Sequence, residues 1–349
     1  MSKRYNVAVV GATGMVGQMM IEVLLERRFP FDRLKLLASS RSTALKIKAG
    51  GREYPVEEAL PAAFDGVDFA FFSAGEAISL ELGPEAVRRG AVVIDNSNAF
   101  RMEKDVPLVV PEVNSAAVSG HRGLIANPNC STIQMVVALN PLHAAAGLKR
   151  VVAATYQAVS GAGKEAVEEL ETQSRAVLEG RAVVAERIPT KDAARHHQIA
   201  FNLVPQLDIF VEDGYSKEEM KMVRETRKIM DLPDLGVTAT TVRVPVLNCH
   251  SMALNVEFYS PLSPDEARNL LSRAPGVVLL DDPGQLLYPM PIFAAGRDEV
   301  FVGRIRPDRS AGHALNLWVV ADNIRKGAAT NSIQIAELLL NRKGQEHSS

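Results

Sequence analysis

Short apolar runs that stop at glycine, serine or asparagine alternate, along the first third of the chain, with stretches of helical periodicity. Asn6-Val7-Ala8-Val9-Val10 reads as a buried strand and Gly11-Ala12-Thr13-Gly14-Met15-Val16-Gly17 as a turn. Residues 18–25 then carry the apolar spacing of a helix. Residues 34–38, 67–72 and 91–94 repeat the strand signal, the last two running into Ser73-Ala74-Gly75 and Asp95-Asn96-Ser97. This alternation predicts an open parallel sheet whose ligands bind just past the strand ends.

Beyond residue 130 the texture changes. Residues 151–159, 237–247, 253–259 and 314–320 have strand character, and 164–178, 217–230 and 264–273 have helical character. That order suits an α+β domain with a broad sheet covered on one face. A last helix near 327–340 is placed to return to the first domain.

The 349 residues exceed what one small core needs, and 47% of them are apolar, so two folded domains are expected. The net charge of -2, with both signs interspersed, gives no basic patch for nucleic acid. No apolar run approaches the ~20 residues that span a bilayer. The opening residues show no secretory h-region, and two cysteines make no disulfide framework, so a reducing cytoplasm is expected. Residues 344–349 read as a frayed tail.

Candidate chemistry sharpens this outline. Asn127-Pro128-Asn129 is a tight turn that delivers Cys130 to the mouth of a helical run, where peptide dipoles favour a thiolate. The bland alternative is a buried cysteine acting as a small hydrophobe. Gly11, Gly14 and Gly17, set between a strand and a helix, suit a pyrophosphate held by backbone amides. No acid stands at the C-terminal end of the strand 34–38, as an NAD ribose would need. Ser39, Ser40, Arg41, Ser42 and Thr43 suit a 2′-phosphate, so NADP is preferred over NAD. In Val242-Arg243-Val244-Pro245-Val246 the arginine takes the face opposite the valines. His250, just past that strand, is a general base or a satisfied structural group. Glu218 and Lys221 share a helix face, as a surface ion pair or as readers of a zwitterionic substrate.

Taken together, these residues resemble the aspartate-semialdehyde dehydrogenase family over nearly the whole chain. The ordered motifs are the glycine turn 11–17, residues 127–132, Tyr156-Gln157-Ala158-Val159-Ser160-Gly161-Ala162-Gly163, residues 218–221 and residues 243–251. The resemblance implies Cys130 as acyl-enzyme nucleophile, Gln157 as the group orienting the intermediate, and His250 as the acid/base that takes the thiol proton. It implies Arg243 for the substrate carboxylate, Glu218 for its ammonium, and Arg101 with Lys221 for inorganic phosphate. Cofactor contacts are implied at Gly11, Thr13, Gly14, Met15, Val16, Arg41, Ser42, Ser160, Gly161 and Asn323, with NADP as cofactor and no metal.

The implied fold is a Rossmann-type α/β cofactor domain, 1–129, with a C-terminal helix in 325–349 packing back on it. An α+β catalytic and dimerisation domain with a large mixed sheet, 130–324, completes it. A homodimer or homotetramer, with no nucleic-acid or membrane partner, is expected. Many relatives carry glycine where this chain has Cys249, so a second thiol stands near the site, and an inactivating Cys130–Cys249 bridge is a hypothesis. Competing readings are an N-acetyl-γ-glutamyl-phosphate reductase-like enzyme, a non-catalytic NADP-binding module and a Cys-His hydrolase.

Overall fold

Side chains alternate in direction along β1 (Tyr5–Val10), so Val7 and Val9 enter one core while Ala8 and Val10 enter another. A strand buried on both faces is the mark of a doubly covered parallel sheet. The computed structural model describes residues 3–346, in two compact units: one runs to Asn129 and resumes at Gly327, and the other is Cys130–Lys326.

In the first unit β2 (Phe31–Ala38), β3 (Lys46–Ala49), β4 (Arg52–Glu58), β5 (Phe69–Phe72), β6 (Val92–Asp95) and β7 (Leu124–Ala126) join β1. Their order is β3-β4-β2-β1-β5-β6-β7, and every pairing is parallel except the β3–β4 hairpin. Met20, Ile21 and Leu24 of the helix Met15–Glu26 pack on one face beside Ile333, Ala336 and Leu339 of the helix Thr330–Glu346. Leu82 and Ala86 of the helix Glu76–Arg88 cover the other. Strand order reverses between β1 and β5, and the glycine turn leaves β1 at that switch point. The final helix takes in residues 344–346 of the expected loose tail; residues 347–349 lie outside the described residues.

The second unit holds β8 (Leu148–Gln157), β9 (Gly236–Arg243), β10 (His250–Phe258), β11 (Val277–Leu279), β12 (Val300–Pro307) and β13 (Ala314–Ala321). The order β11-β12-β13-β10-β8-β9 is mixed, with β8–β9 and β11–β12 parallel and the remaining pairs antiparallel. The helix Cys130–Ala146 is apolar on nearly all sides, so it runs buried between the sheet and the helices Lys217–Met230 and Pro264–Leu271. Ser216 and Ser263 start those two helices with capping boxes closed by Glu219 and Glu266.

The expected strand 237–247 ends at Arg243. The following loop reaches His250 through Cys249, whose φ is +73°, and His250 opens β10 rather than trailing a strand. Apolar character alone did not reveal that turn, because Val244 and Val246 extend the alternating pattern past it.

Candidate active site

Three neighbouring strands bring three polar residues to one edge of the second sheet. Gln157 ends β8 and lies in register with Arg243, which ends the parallel strand β9. His250 begins the antiparallel strand β10, one residue before the Ser251–Tyr156 pair. All three are buried. Parallel and antiparallel pairing are both needed, since only a mixed sheet puts two strand ends and one strand start side by side.

Cys130 is the first residue of its helix and is half-buried. One helical turn later Gln134 donates from Nε2 to the His250 carbonyl at 3.2 Å, tying the start of the cysteine helix to the start of β10. The i,i+4 spacing from Cys130 was the available sequence signal for Gln134. Burial pulls the Arg243 guanidinium below its usual range, while the negative charges of Glu218 and Cys130 push it back up. Arg243 donates from Nη1 to the Ala158 carbonyl at 2.8 Å, and its buried Nε has no partner within the protein.

Glu218 and Lys221 do not form the ordinary surface pair. Glu218 is buried; its Oε2 lies 3.3 Å from Lys221 Nζ, and its Oε1 accepts from Gln157 Nε2 at 3.3 Å. Asp208, which the sequence did not single out, holds Lys221 Nζ from the other side at 2.9 Å. It does so from a left-handed backbone, φ +66°, a conformation that marks a constrained position.

Ser160 and Gly161 lie on a single turn, Val159–Ala162, directly after β8. Ser160 and the Asn323 amide exchange hydrogen bonds at 3.0 and 3.2 Å, and Asn323 Oδ1 also accepts from the Cys249 amide at 3.0 Å. A Cβ on Gly161 would stand 3.1 Å from Arg243 Nη1 and 3.2 Å from His250 Nε2. Cys249 itself is buried with Ala294, Phe301 and Val320. Burial first, then Asp322, pushes its thiol well above the ordinary range. A thiol held protonated is a poor partner for disulfide exchange, which weighs against the bridge to Cys130.

The remaining candidates belong to the first unit. Gly11 has φ +83°, and a Cβ there would meet the Ser73 carbonyl at 2.7 Å. Gly14 caps the helix Met15–Glu26 without a side-chain bond, and no acid stands in the first turn, so the amides of Met15 and Val16 lie at an open, positive helix end. Thr13 precedes that cap, while Arg41 and Ser42 form a short turn just beyond β2. Arg101 is buried and donates to the carbonyls of Asn127 at 3.0 Å and Asn96 at 2.8 Å. Asn331 in turn bonds Asn127 Oδ1 at 2.7 Å, so the final helix braces the turn that leads to the cysteine.

A family model described as the semialdehyde dehydrogenase NAD-binding domain matches residues 6–121, and one described as the semialdehyde dehydrogenase dimerisation domain matches residues 139–326. The aspartate-semialdehyde dehydrogenase of Bacillus subtilis is 54% identical over 340 residues, 97% of this chain and 98% of that protein.

The chain belongs to the aspartate-semialdehyde dehydrogenase family.

Solved aspartate-semialdehyde dehydrogenases superpose along its length. Form II from Vibrio cholerae, in complex with ASA, matches with a TM-score of 0.92 and 46% identity, covering 97% of this chain and 99% of that one. The Candida albicans enzyme with NADP matches with a TM-score of 0.72 and 25% identity, covering 97% and 98%. The chain is therefore an enzyme of this family, with a nicotinamide-dinucleotide-binding unit and a dimerisation-type second domain. Among the described residues no helix is long and apolar enough to cross a membrane.

Proposed function

We propose that this enzyme reduces β-aspartyl phosphate to aspartate semialdehyde with NADPH, through an acyl-thioester on Cys130, in the biosynthesis of lysine, methionine and threonine. The observation that carries this reading is the meeting of Gln157, Arg243 and His250 at one sheet edge beside the cysteine helix. The sulfur of Cys130 displaces phosphate from the acyl carbon, giving the thioester. The Gln157 amide orients that carbonyl. The planar fork of Arg243 takes the substrate carboxylate in two hydrogen bonds, and Glu218 meets its ammonium. Arg101 and Lys221 hold the phosphate that leaves, or that attacks in the reverse direction. His250 serves as the acid/base that takes the thiol proton of Cys130.

The glycine turn fits a dinucleotide, since a Cβ at Gly11 would collide with backbone and the helix amides lack a capping side chain. Gly11 to Val16 would hold the pyrophosphate, Arg41 and Ser42 the 2′-phosphate, and Ser160, Gly161 and Asn323 the nicotinamide end. NADP, when bound, supplies the two-electron exchange with the carbon carried on Cys130. A homodimer or homotetramer assembled through the second domain, working in the cytoplasm, completes the proposal.

An acetylated nitrogen carries no charge for the buried Glu218 carboxylate to meet, which disfavours an N-acetyl-γ-glutamyl-phosphate substrate. Reduction of NADP by aspartate semialdehyde, with and without inorganic phosphate, tests the assignment. Strict dependence on phosphate, and its loss in Cys130→Ala, is expected; phosphate-independent turnover or an active alanine variant overturns it.

A further inference from the structure

Three asparagine side chains in the first unit pass hydrogen bonds in one direction, from the final helix to the parallel sheet. Asn331, in the first turn of the helix Thr330–Glu346, donates from Nδ2 to the Val109 carbonyl at 3.0 Å and to Asn127 Oδ1 at 2.7 Å. Asn127 Nδ2 donates to Asn96 Oδ1 at 2.9 Å, and Asn96 Nδ2 to the Phe72 carbonyl at 3.1 Å. Ser332 brings a second donor to Asn96 Oδ1, at 3.0 Å. Turning any one amide over would set oxygen against oxygen, so the chain of bonds has a single sense. Asn331, Ser332 and Asn127 are buried, where such bonds are strong and costly to leave unmade.

We infer that Asn331 and Ser332 are positioning residues for Arg101, acting through the two carbonyls that aim its guanidinium. This rests on the phosphate role proposed for Arg101 and extends that site to the final helix. Arg101 donates from Nε to the Asn127 carbonyl at 3.0 Å and from Nη2 to the Asn96 carbonyl at 2.8 Å. Asn127 and Asn96 are the same two residues whose side chains Asn331 and Ser332 hold. A guanidinium is rigid and planar, so two bonds along its Nε–Nη2 edge fix both its plane and its direction. Both of these acceptors are neutral, so they orient the cation without cancelling its charge. That suits a group whose work is to meet an anion.

A planar fork binds phosphate well only when its N–H groups point at the oxygens, so a small rotation is expensive. Without the Asn331 amide, Asn127 Oδ1 and the Val109 carbonyl lose a buried donor, and the segment bearing the Asn127 carbonyl is released. Arg101 turns with it. The influence of Asn331 on phosphate thus passes through one guanidinium. A helix that merely packed would act on aldehyde, cofactor and phosphate alike.

The test is a double-mutant cycle in the full-length enzyme, read in the phosphate-dependent oxidation of aspartate semialdehyde with NADP. Asn331→Ala should lower kcat/KM for inorganic phosphate about tenfold, through a raised KM, and leave the KM for aldehyde and for NADP within about twofold. In an Arg101→Ala background the same substitution should change kcat/KM for phosphate by less than about twofold, because the group it positions is gone. Equal losses in both backgrounds, or equal rises in all three KM values, overturn the inference. Ser332→Ala removes a single hydroxyl and gives the same readout if Asn331→Ala does not fold. Should Arg101→Ala by itself leave the phosphate constants unchanged, the phosphate assignment of Arg101 falls and takes the inference with it. Should Arg101→Ala weaken phosphate use while Asn331→Ala does not, only the positioning role falls.

Discussion

The side-chain carbonyl of Asn323 accepts the backbone N–H of Cys249 at 3.0 Å, and Cys249 is held there with φ +73°. That contact fixes the turn from which β10 starts and so sets where His250 emerges. The left-handed backbone is one that glycine would adopt without strain.

A β-branched residue cannot adopt that backbone without strain. Cys249→Val, although apolar, should therefore lose about 2 kcal/mol of stability, read from urea unfolding, and kcat should drop as His250 shifts. Wild-type stability in this variant would show that the turn tolerates a bulky side chain and does not position the histidine.

Arg243→Lys keeps the charge but loses the planar fork and the bond to the Ala158 carbonyl. A fall in kcat/KM for aspartate semialdehyde of roughly 10- to 100-fold follows, the worth of a charge-assisted bidentate contact. The loss should sit mainly in KM. An unchanged KM would remove Arg243 from substrate binding.

Asp208→Asn withdraws one of the two carboxylates beside Lys221. The pair is partly exposed, so the effect is at most about 1 kcal/mol, or fivefold. It should fall on the KM for inorganic phosphate and spare that for the aldehyde. Equal changes in both constants would argue against a phosphate role for this lysine.

Acid should weaken the fold through His250. The unfolded chain binds a proton near pH 6.5, whereas the buried ring resists until about 3. Within that window the unfolded state holds more protons, so stability falls as pH drops, by up to ~1.4 kcal/mol per pH unit from this one group. His250→Gln lacks the titration. Its stability relative to wild type should therefore rise between pH 6.5 and 5, measured by urea midpoints at each pH. Parallel curves would mean that His250 protonates freely in the folded state.

Periodicity and motif spacing alone made the two-layer logic legible: valine-rich strands, the glycine turn at a strand end, and the helices 164–178 and 217–230, whose bounds match the observed ones. Those features are local, because side-chain alternation and capping are set by neighbours a few residues away. The same local pattern misled at Val244 and Val246, where an apolar rhythm continues through a loop. Only tertiary pairing brought Gln157, Arg243 and His250, 93 positions apart from first to last, onto one edge. It also revealed Asp208 behind Lys221 and the Ala158 amide on His250. Strand register and buried hydrogen bonds depend on which distant segments desolvate each other, and no stretch of sequence encodes that by itself.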